Sequence, residues 1–205
     1  KGAGEVIKVD VPASWADAEG DFVYPVATGD RKDLVDFVNN IQTPVNAQRG
    51  DKLPVSTFLK DADGTFPQGS AAYEKRGIAV DVPTWNSDNC IQCNFCSYVC
   101  PHAVIRPVVL TADEAAKAPE GMKMTDMTGM PGYKFAMTVS VLDCTGCGSC
   151  ASVCPGKKGE KALTMQSLDS QRHEQENFAY GQSLDVKPEV AEKFKETTVK
   201  GSQFK

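Results

Sequence analysis

At 205 residues, with 41% hydrophobic and 24% charged residues, the chain has the composition of a globular protein with more than one structural unit. Its formal charge of −5 argues against a nucleic-acid partner. No apolar run approaches the roughly 18–20 residues that span a bilayer, and the start shows no signal-peptide pattern, so no membrane role is expected.

In chain order, the first feature is a strand-like run, Val6-Ile7-Lys8-Val9-Asp10-Val11, closed by Pro12. It has no partner strand nearby and reads as the tail end of a preceding domain. The chain also begins at Lys1 without a methionine, and both features suggest an excised segment. Next, Leu34, Phe37, Val38 and Ile41 form one apolar stripe at helical spacing. Asp30 is the expected N-cap with Asp33 in the first turn, and Pro44 should forbid much continuation. Residues 45–76 are rich in Gly, Pro, Asp and Ser and read as loop. A loop that long needs something to pack against. Within it Asp61-Ala-Asp63-Gly64 resembles the opening of a calcium loop, but the closing glutamate is missing and a turn is expected.

Two alternating runs follow: Ile78, Val80, Val82, and later Phe135, Met137, Val139, Val141. Both read as half-buried strands. Ala103-Val104-Ile105 and Ala162-Leu163-Thr164-Met165 read as returning strands. Between the halves, Thr111 and Glu114 form a capping box that opens a short helix ending by Pro119. Residues 120–133, with four Met and three Gly, read as an excursion over one side of the molecule. From about Ser167 the chain turns polar and reads as a linker lying across a surface. Within it Pro188 to Thr197 could form a short helix with Val190 and Phe194 on one face.

The chemistry sits in the cysteines. All eight fall into two copies of one pattern. These are Cys90-Ile-Gln-Cys93-Asn-Phe-Cys96-Ser-Tyr-Val-Cys100-Pro101 and Cys144-Thr-Gly-Cys147-Gly-Ser-Cys150-Ala-Ser-Val-Cys154-Pro155. Both read C-x2-C-x2-C-x3-C-P, the bacterial ferredoxin run that wraps a cubane iron–sulfur cluster. Two-residue gaps let three thiolates of one short loop converge on three corners of a cube. The fourth corner needs a ligand from elsewhere, and the proline turns the chain away. In two-cluster ferredoxins the fourth cysteine ligates the other cluster. Cys90, Cys93, Cys96 and Cys154 are therefore expected to hold one [4Fe-4S] cluster, and Cys144, Cys147, Cys150 and Cys100 the other.

The competing readings are a four-disulfide framework and a pair of zinc sites. Disulfide frameworks belong to small secreted chains, whereas this chain is long enough to bury a core. Zinc sites usually take two pairs from separate knuckles, not a triplet plus a proline-terminated fourth. Thiolates committed to iron imply a reducing compartment, hence the cytoplasm. Each oxidised cubane with its thiolates adds about two negative charges, which favours partners with basic docking faces. Ile91, Phe95 and Tyr98 in the first motif stand against Gly146, Gly148 and Ser149 in the second. This contrast reads either as tuning of cluster potential or as plain packing. Glu74-Lys75-Arg76 could steer a partner, but a structural salt bridge is preferred. His102 reads as a packed or surface histidine, since eight cysteines already fill eight corners.

Beyond the cysteines, Pro44-Val-Asn46-Ala-Gln48-Arg-Gly50-Asp51-Lys-Leu53-Pro-Val-Ser56, then Asp63-Gly64-Thr65, then Tyr73-Glu74-Lys75-Arg76-Gly77-Ile78-Ala79 follow in order. With Cys100-Pro101-His102-Ala103 and Val199-Lys200-Gly201-Ser202-Gln203-Phe204, this order resembles the middle of a pyruvate:ferredoxin (flavodoxin) oxidoreductase. The Tyr73–Ala79 run is similar to the signature of that family's small EKR domain. The resemblance implies a tail of a preceding domain over 1–15 and an EKR domain of one helix plus long loops over 16–76. A two-cluster ferredoxin-like domain over 77–168 and a linker to a following domain over 169–205 would complete the chain. The expected fold class is α+β: a bacterial 2[4Fe-4S] ferredoxin-like domain with a pseudo-two-fold repeat, preceded by a small irregular α/loop domain. The implied parent reaction converts pyruvate, CoA and oxidised ferredoxin or flavodoxin to acetyl-CoA, CO2 and reduced carrier. The parent would be a homodimer. Its thiamine diphosphate, Mg and third [4Fe-4S] cluster would lie in flanking domains, because no G-D-G…N motif or further cysteines occur here. This chain alone would carry electrons and perform no catalysis. The alternatives are a free-standing two-cluster carrier and a non-redox zinc scaffold.

Overall fold

The computed structural model describes residues 4, 6–18 and 24–204. Residues 1–3 and 5 of the expected tail, 19–23 of the expected EKR domain, and 205 lie outside the described residues. The chain divides into two compact units, Lys1–Glu74 and Lys75–Lys205.

In the first unit, Val6 to Val11 forms no strand, and Val6, Ile7, Val9 and Val11 are exposed. Alternating valines favour extension, but a strand also needs a neighbouring ladder for its backbone groups, and none runs beside it among the described residues. The predicted helix is longer than its sequence pattern. Helix α1 (Lys32–Phe37) continues through a π turn (Val38–Gln42) into α2 (Thr43–Asn46). Arg31 rather than Asp30 is the N-cap, and its Nη2 lies 2.7 Å from Asp33. Pro44 does not stop the helix because the π turn just before it opens the ladder where a prolyl nitrogen has no proton to donate.

The apolar stripe does what its spacing predicts. Leu34 and Val38 are buried, and Phe37 stacks on Phe66 at 5.4 Å. Polar side chains of the helix then hold the loops. Asn39 brackets Ala27, accepting from its N–H at 2.8 Å and donating to its C=O at 3.0 Å. Gln42 donates to the Ser70 carbonyl and Arg31 to that of Gln68. Residues 45–76 are short 3-10 turns (Gly50–Lys52, Val55–Asp61, Ser70–Tyr73) with coil between them. Asp63 Oδ1 accepts from both the N–H and the hydroxyl of Thr65, which makes Asp61–Gly64 the expected turn.

The second unit holds two sheets. β1 (Asp81–Trp85) pairs antiparallel with β5 (Leu163–Ser167). β2 (Ile105–Leu110) pairs with β4 (Lys134–Val139), whose other edge carries β3 (Thr125–Asp126). The first alternation was read too early. Ile78 and Val80 are exposed, and the strand starts at Asp81 with Val82, Pro83 and Trp85 buried. The second is more than half-buried: Phe135 through Val139 are all buried, because both faces of β4 are covered. The cysteine loops lead into short helices, α3 (Phe95–Tyr98) and α5 (Ser149–Val153). The Thr111–Glu114 capping box opens α4 (Ala112–Ala116), with both reciprocal bonds present. Lys75, of the Glu-Lys-Arg run, pairs with Asp143, the structural role preferred above.

The polar segment expected as a linker is helical: α6 (Leu168–Gln171), α7 (Glu174–Ser183), α8 (Pro188–Lys193) and α9 (Val199–Ser202). It buries Leu168, Val190, Asn177 and Gly181, and its Phe194 and Phe204 pack on the core. α7 has no apolar stripe. It docks instead by close backbone approach and hydrogen bonds. A Cβ on Gly181 would lie 2.8 Å from Val108 Cγ2 and 3.3 Å from Thr138 Cγ2. Tyr180 donates its hydroxyl to the Glu114 carbonyl at 2.7 Å, and Gln175 Oε1 accepts from the Leu142 N–H at 3.2 Å.

Gly181→Val is therefore expected to destabilise this unit by about 1–3 kcal/mol through overpacking, measured by denaturant unfolding. Unchanged stability would mean α7 is not seated as described. A second expectation concerns pH. Burial pushes the Glu114 carboxyl up, but the Thr111 N–H and the Lys187 ammonium (3.0 Å) outweigh it, so its pKa lies below the ordinary value. That stabilisation is complete above the unfolded carboxylate range and lost as pH falls through the lowered folded pKa. Lys187→Met should flatten the acid limb of the stability–pH curve; an unaltered limb would show the pair contributes nothing.

Candidate functional site

Both cysteine loops share a backbone pattern. The second residue after the first cysteine and the residue after the second cysteine are left-handed in each loop. They are Gln92 (φ 56°) and Asn94 (φ 62°) in one, Gly146 (φ 71°) and Gly148 (φ 74°) in the other. This conformation turns an N–H onto the first sulfur of each loop: Gln92 N–H to Cys90 Sγ and Gly146 N–H to Cys144 Sγ, both at 3.4 Å. The glycine–aromatic contrast noted in the sequence thus has a backbone component. Glycine adopts the conformation freely, whereas Gln92 and Asn94 each hold it at a cost of roughly 1 kcal/mol.

Their side chains explain why the cost is met. Gln92 is buried, donates to the Asp126 carbonyl at 2.7 Å and accepts from the Thr128 N–H at 2.8 Å. It ties the methionine-rich excursion to the first loop, and Met122 and Met127 join the core beside it. Asn94, also buried, donates to the Lys200 carbonyl at 3.0 Å, and Ser97 donates to Gln203 Oε1 at 2.7 Å. α9 is thereby fixed against the same loop. Reading the motifs one at a time misses Gln92 and Asn94. Aligning the two motifs on their cysteines sets them against Gly146 and Gly148 and would have found them.

The thiols line two cavities. Cys90, Cys93, Cys96 and Cys154 line one, with Trp85, Asn94, Met137 and Leu163. Cys100, Cys144, Cys147 and Cys150 line the other, with Pro83, His102, Ile105 and Met165. Their empty volumes, mouths included, are ≈ 330 and ≈ 320 Å³. The fourth cysteine of each motif thus stands in the wall of the cavity built by the other motif. All eight cysteines are free thiols with no disulfide between them. Among the described residues, no three His, Cys, Asp or Glu side chains close on a point where a single ion could sit.

The thiols differ in setting. Burial pushes Cys96 strongly up and Cys150 up to about 11. Cys90 and Cys144 are also raised by burial, partly offset by their N–H partners. Cys147 is exposed, and the Ser149 N–H and hydroxyl hold it below the ordinary thiol value. The Trp85 ring nitrogen is buried without a hydrogen-bond partner and stands with Cys90 in the wall of the first cavity. Ala162 N–H meets Cys154 Sγ at 3.3 Å. Four thiols around an empty volume, with an unpartnered donor and backbone N–H groups turned to sulfur, fit a cubane cluster. His102 lies exposed at the rim of the second cavity.

Comparison with known proteins agrees with these motifs. Residues 86–158 match the family described as a 4Fe-4S dicluster domain, and residues 25–79 match EKR, a domain of unknown function. The chain is 47% identical over 203 residues, 99% of its length, to the pyruvate-flavodoxin oxidoreductase of Enterobacter agglomerans. It is 47% identical over 201 residues to the pyruvate:ferredoxin oxidoreductase of Moorella thermoacetica. A pyruvate dehydrogenase [NADP(+)] of Cryptosporidium parvum is 46% identical over 175 residues. The chain spans 16% of the length of the first two relatives and 9% of the third. It therefore matches one segment of the pyruvate oxidoreductases that the motif order from Pro44 to Phe204 resembles.

Gln92→Gly relieves backbone strain but removes both anchors of the excursion. The expected result is about tenfold faster hydrogen exchange at residues 125–128 with iron uptake retained. Unchanged exchange would show that the side chain fixes nothing.

Proposed function

We propose that this chain is the two-cluster electron-carrying segment of a pyruvate oxidoreductase. Cys90, Cys93, Cys96 and Cys154 would hold one [4Fe-4S] cluster, and Cys144, Cys147, Cys150 and Cys100 the other. The observation that carries this is the exchange of Cys100 and Cys154 between two cavities of matching size, each walled by four free thiols. A zinc scaffold usually takes two cysteine pairs from separate knuckles, not a triplet plus a proline-terminated fourth. The ferredoxin-like domain would then be a pseudo-two-fold repeat, with α3 and α5 and the paired left-handed positions as its equivalent parts.

Bound there, each cluster supplies reversible one-electron uptake and release. The chain's own residues do the rest. Thiols bind iron as thiolates, so loading releases protons. Backbone N–H groups on Cys90, Cys144 and Cys154 stabilise charge on sulfur. Val82, Ile105, Met137 and Leu163 exclude water from between the loops. Cys147, exposed at the second cavity, is where this segment would pass electrons out.

The parent enzyme would oxidise pyruvate with CoA and pass electrons to ferredoxin or flavodoxin, the carriers its relatives are named for. Those names vary in acceptor, including NADP(+), while pyruvate is constant. That variation favours a segment that relays electrons and leaves choice of acceptor to other parts. Thiamine diphosphate, Mg and a third cluster would lie in flanking domains, with the parent a cytoplasmic homodimer. A free-standing carrier is disfavoured by the match of the whole chain to one segment of much longer relatives.

Reconstitution is expected to give about eight iron and eight sulfide per chain. The exchange is tested by single alanine variants read by EPR of the reduced protein. Cys100→Ala and Cys144→Ala should lose the same signal, and Cys100→Ala and Cys90→Ala different ones. Cys100→Ala matching Cys90→Ala would sink the ligand assignment, and zinc in place of iron would end the cluster reading.

A further inference from the structure

The two cavities differ in what stands behind their thiols. In the first, Trp85 closes one wall, only 6% exposed, with its indole nitrogen lacking any hydrogen-bond partner. Cys90 stands in the wall of the same cavity. A buried donor without an acceptor is rare, because it forfeits the hydrogen bond it made with water. A thiolate sulfur on a cluster is the acceptor this one is placed for.

The same cavity is approached from α9. Gly201 lets this turn fold back, since a Cβ there would lie 2.1 Å from the Lys195 carbonyl oxygen. The Thr198 hydroxyl accepts from the Gly201 N–H at 3.1 Å, and Asn94 holds the Lys200 carbonyl. Lys200 is half-buried, with Nζ 4.5 Å above the Phe194 ring, and its carbonyl is held by Asn94, a lining residue of the first cavity. Phe194 rests against Phe204 (5.5 Å between centroids), Phe204 against Phe135 (6.5 Å), and Phe135 against Trp85 (6.0 Å). One aromatic row therefore positions both groups.

The second cavity has neither. Counting five residues back from the first cysteine reaches Trp85 in the first motif (90 − 5) and Val139 in the second (144 − 5), which has no donor. No lysine or arginine lines either cavity; Lys200 is held beside the first through Asn94, and His102 sits at the rim of the second.

We propose that the indole N–H of Trp85 and the ammonium of Lys200 set the Cys90–Cys93–Cys96–Cys154 centre at the higher reduction potential of the two. This rests on the cluster reading above. Reduction adds one electron to the centre with no bond made or broken. A hydrogen bond to sulfur and a nearby positive charge both stabilise the added charge more than the oxidised state. Trp85 and Lys200 act as positioning residues for charge. Electrons would then rest on the enclosed centre, and the centre with exposed Cys147 would be the more reducing.

The test uses the 205-residue chain reconstituted with iron and sulfide and titrated against ambient potential by EPR. Two waves are expected. Trp85→Phe and Lys200→Met should each lower the reduced-to-oxidised ratio of the upper wave by about three- to tenfold at fixed potential, tenfold being about 59 mV for one electron. The lower wave should stay in place, and His102→Asn should leave the upper wave unmoved. In chain labelled with 15N at the indole nitrogens, the reduced upper-wave centre should show a nitrogen coupling. That coupling should vanish in Trp85→Phe and persist in Trp15→Phe. Should Trp85→Phe fail to load iron, Lys200→Met and the coupling in unmodified chain decide. The proposal is overturned if the upper wave stays put in Lys200→Met, if the lower wave moves instead, or if no coupling is seen. Two waves without those effects leave the cluster reading standing. A chain that yields no cubane signals overturns both.

Discussion

The constraint on which the second unit depends is the exchange of one cysteine between two loops. Cys100 belongs by sequence to the first loop and by position to the second cavity, and Cys154 the reverse. The sheets follow the same rule. β1, before the first loop, pairs with β5, after the second; β2, after the first, pairs with β4, before the second. Each sheet therefore joins the two halves, and neither half can close its cavity or complete a ladder alone. Pairing between distant segments must be established before any cavity exists, so loop closure is unfavourable until both halves meet. A cluster that captures four thiolates from both halves would favour that meeting, since binding energy at such a site is folding energy.

Inside this frame the first loop is the more encumbered. At the second loop glycines satisfy the left-handed positions with no side chain to tie, and Gly146 packs close against Ala79 and Asp81. At the first, Gln92 and Asn94 take the same backbone shape and use their side chains to hold residues 126–128 and α9. The same two positions thus serve geometry in one half and tertiary attachment in the other. The consequence is unequal shelter: Cys93 is partly covered while Cys147, its equivalent, is exposed.

How much of this could be read from residues alone depends on the kind of signal. Ligand spacing is a local property of covalent chain length, so the cysteine pattern, the grouping of four thiols per cavity and the Thr111–Glu114 cap were all legible. The helix over Leu34–Ile41 was legible for the same reason, through its apolar period. What escaped depends on space. α7 docks by a missing side chain at Gly181 and by Gln175 and Tyr180 bonding to backbone, none of which leaves an apolar stripe. Val6–Val11 shows the converse: its pattern is strand-like, yet no ladder stands beside it. The start of β1 was misplaced because Ile78 and Val80 are apolar but exposed, and only Val82 onward faces the core.

The thiol settings give a last step. Burial raises the first and third cysteines of both loops, Cys90 and Cys96, Cys144 and Cys150, and does so most at the third. A loop without metal would hold these as neutral thiols packed among apolar side chains, a comfortable state for a small hydrophobe. Converting them to thiolates in the same place is unfavourable unless iron supplies the compensating charge. The buried thiols therefore favour a centre that takes several thiolates at once over a loosely held ion. Cys147 differs from these four: it is exposed, and the Ser149 N–H and hydroxyl hold it below the ordinary thiol value.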